Sequence, residues 1–168
     1  MIWCVPMLTD KTVIVTGAAS GIGKTCASKL IDDGNRVVAV DLDGDRLRLA
    51  LGNETESLKF IPGDVSFDST AKNASQMAVD VFGSVDCLAH FAAAHSKLNW
   101  ELADADEFNR IFSVNVTGSF LMAKAAAKVM IQHKKRGAIV LTASGGVLMG
   151  GTGENGRGGP AYTTSKGG

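Results

Sequence analysis

Five short apolar runs recur along the chain, each separated from the next by room for a helix. Residues 12–16 (Thr-Val-Ile-Val-Thr) and 36–40 (Arg-Val-Val-Ala-Val) are β-branched and continuous rather than alternating, as expected of strands buried on both faces. Residues 58–61, 86–92 and 138–142 read as three further strands. Between the runs, apolar positions fall at helical spacing. The spacing predicts helices from the glycine-rich segment after residue 16 through Ile31, from near Gly44, over 69–82, over 102–135 with an irregularity near Thr117 and Gly118, and from near Ala161 onward. Asp43 is placed to cap the second of them. This alternation predicts an α/β chain with a doubly wound parallel sheet, right-handed crossovers and helices on both faces. Residues 145–160 form a glycine-rich, mobile loop with Glu154, Asn155 and Arg157 at its centre, where Arg157 is expected to be a solvated charge.

The first strand runs straight into Gly17-Ala18-Ala19-Ser20-Gly21-Ile22-Gly23 and then into a helix. A strand, a glycine-rich turn and a helix N-terminus in that order make a phosphate-binding element. The glycines let the backbone approach a pyrophosphate, and free N–H groups at the helix start stabilise its charge. The fold class is therefore Rossmann-like, and Gly17, Ser20, Gly21, Ile22 and Gly23 are candidate cofactor-binding residues. The second strand ends at Asp41, close to the offset of about 20 residues at which an acid meets the ribose 2′-hydroxyl of NAD. A carboxylate there repels a 2′-phosphate, and no Arg or Lys lies within the turn or immediately after Asp41. NAD (NADH) is thus preferred over NADP. A competing pattern overlaps the turn: residues 18–25 come within one residue of the loop of nucleoside triphosphatases, with Lys24 and Thr25 in place. That pattern leaves Gly17 and Gly21 without a role.

Composition narrows the class further. The 168 residues carry 17 basic and 17 acidic side chains, and no basic block calls for a nucleic-acid partner. His133, Lys134, Lys135 and Arg136 crowd a helix C-terminus, where positive charge is favourable. No apolar stretch is long enough to span a membrane, and the apolar start lacks the pattern of a secretory signal. Cys4, Cys26 and Cys87 are odd in number and far apart, which suits reduced thiols in a cytoplasmic setting better than disulfides or a metal site. Cys87 is expected in the core. Residues 1–168 are read as a single NAD(P)-binding domain.

Near the end, Tyr162 and Lys166 stand at i and i+4, so a helix puts phenol and ammonium on one face. A neighbouring cation lowers a phenol's pKa towards the range useful for proton transfer. Taken with the Thr16-to-Gly23 turn, the chain resembles the short-chain dehydrogenase/reductase family along its whole length. Asp64-Val65 is similar to that family's adenine-contacting pair, Asn115 to its Asn-x-x-Gly site, and Ser144, Tyr162 and Lys166 to its catalytic group. The resemblance implies an NAD-dependent oxidoreductase that transfers hydride between nicotinamide and a small-molecule alcohol or carbonyl substrate. It implies that Tyr162 exchanges a proton with the substrate oxygen and that Lys166 holds the nicotinamide ribose. Ser144 would hydrogen-bond the substrate oxygen, and Asn115 would hold a water in a proton relay. Where the family has Asn-Asn-Ala-Gly, this chain has His90-Phe91-Ala92-Ala93, so Ala92 is expected beside the cofactor and His90 to be structural. Family members are longer and form homo-oligomers through the 102–135 helix and the Tyr/Lys helix, so the chain reads as C-terminally truncated with its fifth strand an exposed edge. The alternative function is a catalytically silent dinucleotide-binding fragment.

Overall fold

A computed structural model of the chain describes residues 8–96, 98–153 and 158–167. Its strands are β1 (Thr12–Thr16), β2 (Arg36–Asp41), β3 (Leu58–Pro62), β4 (Cys87–His90) and β5 (Ala138–Leu141). All pair in parallel, in the order β3-β2-β1-β4-β5. The helices are α1 (Gly21–Asp32), α2 (Gly44–Leu51), α3 (Asp68–Phe82), α4 (Ala105–Phe112), α5 (Ser119–Gln132), α6 (Gly146–Met149) and α7 (Pro160–Ser165), with a π-helical segment, Ser113–Gly118, joining α4 to α5.

Side chains alternate across the sheet, so each strand feeds two cores. Ile14, Val38, Val40 and Leu88 pack with Ala71, Ala74 and Ala78 of α3 and Met122, Ala126 and Met130 of α5. Val13, Val15, Val37 and Ala39 face the other way, onto Ala27 of α1 and Leu47 of α2. Helices therefore cover both faces of the parallel sheet, as the continuous apolar runs require. β5 is the exception. It pairs with β4 alone, all four of its residues are exposed, and it forms an edge of the described sheet.

Several boundaries differ from the sequence expectation, each for a local reason. The fourth strand stops at His90 rather than continuing to 92, because Phe91 and Ala92 donate their backbone N–H groups to Thr16 Oγ1 at 3.1 Å each and leave the ladder. The 102–135 helix begins only at Ala105, where Asp104 caps it by accepting from Glu107 N. It ends at Gln132, before Lys134, which takes a left-handed φ of 51°. The irregularity expected at Thr117 and Gly118 is the π segment. The 145–160 stretch is not wholly irregular: Ser144 Oγ accepts from Gly146 N and α6 forms behind it. Glu154, Asn155 and Arg157 lie outside the described residues. Asp43 caps α2 as expected, accepting from Asp45 N and Arg46 N. Cys87 is half-buried rather than fully in the core, and burial pushes the thiols of Cys26 and Cys87 up; both are free cysteines. No helix among the described residues is long and apolar enough to cross a membrane.

Candidate active site

Strand order reverses between β1 and β4, and a cavity of about 620 Å³ opens at the carboxyl ends of the strands there. Gly17, Ser20, Gly21, Ile22 and Gly23 line it from the first turn, and Asp41, Asp64, Val65 and Ala92 from the ends of the next three strands. The turn is shaped by its glycines. Gly17 has a φ of +68°, and a Cβ there would lie 2.9 Å from Ala92 N. A Cβ on Gly23 would overlap the Gly17 carbonyl oxygen, so only glycine lets α1 start tight against β1. Ser20, the N-cap of α1, makes no side-chain cap, and no acidic residue occupies the first turn. The helix thus presents N–H groups and its positive end to the cavity.

Asp41 does more than end a strand. Its Oδ2 accepts from Ala19 N and its Oδ1 from Leu42 N, each at 2.9 Å, so the carboxylate braces the glycine turn from the next strand. Asp64 Oδ1 accepts from Ser66 N, which turns the chain so that Val65 faces the π segment. A Cβ on Gly118 would come 2.9 Å from Val65 Cγ2, which accounts for the glycine three residues after Asn115. Arg46 of α2 also lines the cavity. No Arg or Lys lies within the turn or immediately after Asp41 in the chain, yet Arg46, on α2, lines the same cavity as Asp41.

The side chain of Asn115 is buried and fully engaged. Oδ1 accepts from Ala94 N at 2.8 Å, and Nδ2 donates to Ala94 O at 3.0 Å and to Ser165 Oγ at 2.8 Å. The Asn115 carbonyl accepts from Ser119 Oγ at 2.6 Å. Asn115 therefore ties the loop after β4 to α7. Lys166 Nζ donates to the carbonyl of Thr142 at 3.0 Å, and Thr142 itself lines the cavity. Burial pushes the Lys166 ammonium down from its usual range. Ser144 stands two residues beyond Thr142 at the start of α6. Tyr162 is half-buried, its ring 4.4 Å from that of His95 and tilted by 40°. The cofactor candidates outside α7 thus share one cavity, and Lys166 reaches its wall through Thr142.

His90 is buried with 2 % exposure, as a structural histidine should be. Its Nδ1 lies 2.8 Å from Thr16 Oγ1. That hydroxyl already accepts two backbone N–H groups, so its single proton goes to Nδ1 and the ring carries its own proton on Nε2. Desolvation, and then the charge of Lys166, lower its pKa to about 4, so the ring is neutral.

The sequence profile described as short chain dehydrogenase matches residues 11–168. The chain belongs to the short-chain dehydrogenase/reductase family. Among curated relatives of this family, "Short chain aldehyde dehydrogenase 1" of Euphorbia lathyris is 37% identical over 142 residues, covering 82% of this chain and 49% of the relative. Xanthoxin dehydrogenase of Arabidopsis thaliana is 36% identical over 153 residues, covering 85% and 53%. The chain spans about half the length of these relatives. A crystal structure of a short-chain type dehydrogenase/reductase from Mycobacterium marinum is similar with a TM-score of 0.83 at 28% identity, covering 95% of this chain and 65% of that one. One titled glucose/ribitol dehydrogenase from Brucella melitensis is similar with a TM-score of 0.82 at 25% identity and the same two coverages. The triphosphatase pattern finds no support in the fold of this short-chain dehydrogenase/reductase, since Lys24 is exposed and does not line the cavity. Sequence reasoning passed over Thr16, Thr142, Ser165 and His95. Only Thr16 carried a signal, as the first residue of the turn. The others matter through contacts 24 to 67 residues away in the chain, which no local pattern reports.

Proposed function

We propose that this chain carries the cofactor site and the catalytic group of an NAD-dependent oxidoreductase acting on a small-molecule alcohol or carbonyl. The observation that carries the reading is the continuity of the site. One cavity runs from Asp41, past the uncapped start of α1, to Thr142, whose carbonyl holds Lys166. A dinucleotide fits this donor set: N–H groups for the pyrophosphate, Asp41 for the ribose hydroxyls, and the exposed side chains of Leu42 and Ile22 as apolar walls for its rings. The nicotinamide, when bound, supplies or accepts the hydride. Tyr162 gives a proton to the substrate oxygen or takes one from it. Lys166, positively charged and half-buried one helical turn on, favours the phenolate and binds the ribose beside it. Ser144 hydrogen-bonds the substrate oxygen as charge develops there. Asn115 serves by fixing the Ala94 backbone to α7, and its carbonyl, which accepts from Ser119 Oγ, keeps a second lone pair for a relay water. The whole protein would act in the cytoplasm as a homo-oligomer, without nucleic acid or membrane.

A second reading is a dinucleotide-binding chain without turnover. Ser144 Oγ and Lys166 Nζ both bond to backbone here, which supports it. Turnover of a panel of secondary alcohols with NAD, compared between the chain and Tyr162→Phe, separates the two. The first reading expects activity in the parent and its loss in the variant. Equal activity in both overturns the role of Tyr162, and saturable NADH binding without turnover favours the second reading.

A further inference from the structure

The loop after β4 is fastened residue by residue to the elements around Tyr162. Both backbone groups of Ala94 bond to the Asn115 amide, which also donates to Ser165 Oγ. Ser165 Oγ in turn donates to the carbonyl of Tyr162 at 2.7 Å. The carbonyl of His95 accepts from Arg110 Nη2 at 3.5 Å, and Glu107 holds that guanidinium through two bonds, at 2.8 and 3.0 Å. The carbonyl of Ser96 accepts from Gly159 N at 2.8 Å, at the cap of α7, and its buried hydroxyl bonds to Glu107. Three consecutive residues are therefore tied to α4, to the π segment and to α7.

The result is to hold one side chain, the imidazole of His95, against the ring of Tyr162. His95 is exposed, so this contact adds little to the core. α7 has only six residues, too few to fix the direction of a side chain unaided. Gly158 leaves the phenol its space, since a Cβ there would come 3.3 Å from Tyr162 Cε1 and closer still to Cδ1. An aromatic pair at this separation is a directional contact.

We propose that His95 is a positioning residue for Tyr162: its imidazole forms a wall of the phenol's seat and so sets where the hydroxyl meets the substrate oxygen. The proposal rests on the reading of Tyr162 as the proton-exchanging group, and its test is chosen to separate the two. Tyr162 is the only tyrosine in the chain, so incorporation of 3-fluorotyrosine gives one fluorine resonance. In the parent that resonance is expected away from its denatured-state position. In His95→Ala and His95→Gln it should move towards that position, and in His95→Phe, which restores a ring, it should return. With turnover, His95→Ala should lower kcat on the order of tenfold or more with the KM for cofactor unchanged, and His95→Phe should recover it. A resonance identical in parent, His95→Ala and His95→Gln overturns the proposal whether or not the chain is active. If the resonance moves as expected and Tyr162→Phe is nevertheless as active as the parent, the seat stands and the catalytic reading of Tyr162 fails.

Discussion

Acidification from about pH 7.5 to about pH 5 is expected to weaken the fold through one residue, His90. Its ring is buried among core side chains, with Nδ1 accepting from Thr16 and with no hydrogen-bond partner for Nε2 among the described residues. A second proton would have to go onto Nδ1, facing the Thr16 hydroxyl donor to donor, near the charge of Lys166. The folded-state pKa lies at about 4 against an ordinary 6.5. Between those values the unfolded chain binds the proton and the folded chain does not, so stability is complete above 6.5 and falls as the pH drops towards 4. The full shift corresponds to about 3 kcal/mol, and about 2 kcal/mol of it is lost by pH 5. Against a typical domain stability of about 5–15 kcal/mol this is readily measured. Asp68 and Glu107 do not interfere: hydrogen bonds from Lys72 and Arg110 hold their pKa values below the usual carboxylate range, so their contributions disappear only in stronger acid. Urea denaturation at the two pH values provides the assay, with His90→Asn as the control, since asparagine can still accept from Thr16 but does not titrate. The parent should lose about 2 kcal/mol and the variant little. A parent equally stable at both pH values, or a variant that loses as much, would refute the argument.

Other outcomes follow from single contacts. Gly23→Ala forces a methyl onto the Gly17 carbonyl and should destabilise by about 1–3 kcal/mol. It should also abolish NADH binding, measured by calorimetric titration. Asn115→Ala leaves the Ala94 N–H, the Ala94 carbonyl and the Ser165 hydroxyl without their partner. A loss of about 3 kcal/mol in urea denaturation at neutral pH is expected. A loss below about 0.5 kcal/mol would mean that water replaces the amide without penalty.

The sheet was legible in the sequence because its strands are buried on both faces. Val13, Ile14 and Val15, and Val37 to Val40, have no solvent side to encode, and so they appear as unbroken apolar runs bounded by glycine and aspartate. The glycine turn was legible for a related reason: Gly17 takes a left-handed φ within the turn, and Gly23 closes on the Gly17 carbonyl six residues back. What stayed hidden depends on partners far along the chain. The early end of β4 is set by a hydroxyl 75 residues before Phe91, and the seat around Tyr162 by backbone groups of residues 94–96. Arg46 was invisible as a cavity residue because only the return of α2 brings it to the cavity that Asp41 lines. The π segment announced itself only as an irregularity. The neighbour that requires glycine at its end, Val65, lies on another element.

The cavity between Asp41 and Thr142 is proposed as a nicotinamide dinucleotide site. Calorimetric titration of the chain with NADH, NADPH and magnesium ATP tests it most directly. Saturable binding of NADH is expected, with weaker binding of NADPH because Asp41 repels its 2′-phosphate, and no competition from ATP. Tight, magnesium-dependent ATP binding with no binding of NADH would contradict it.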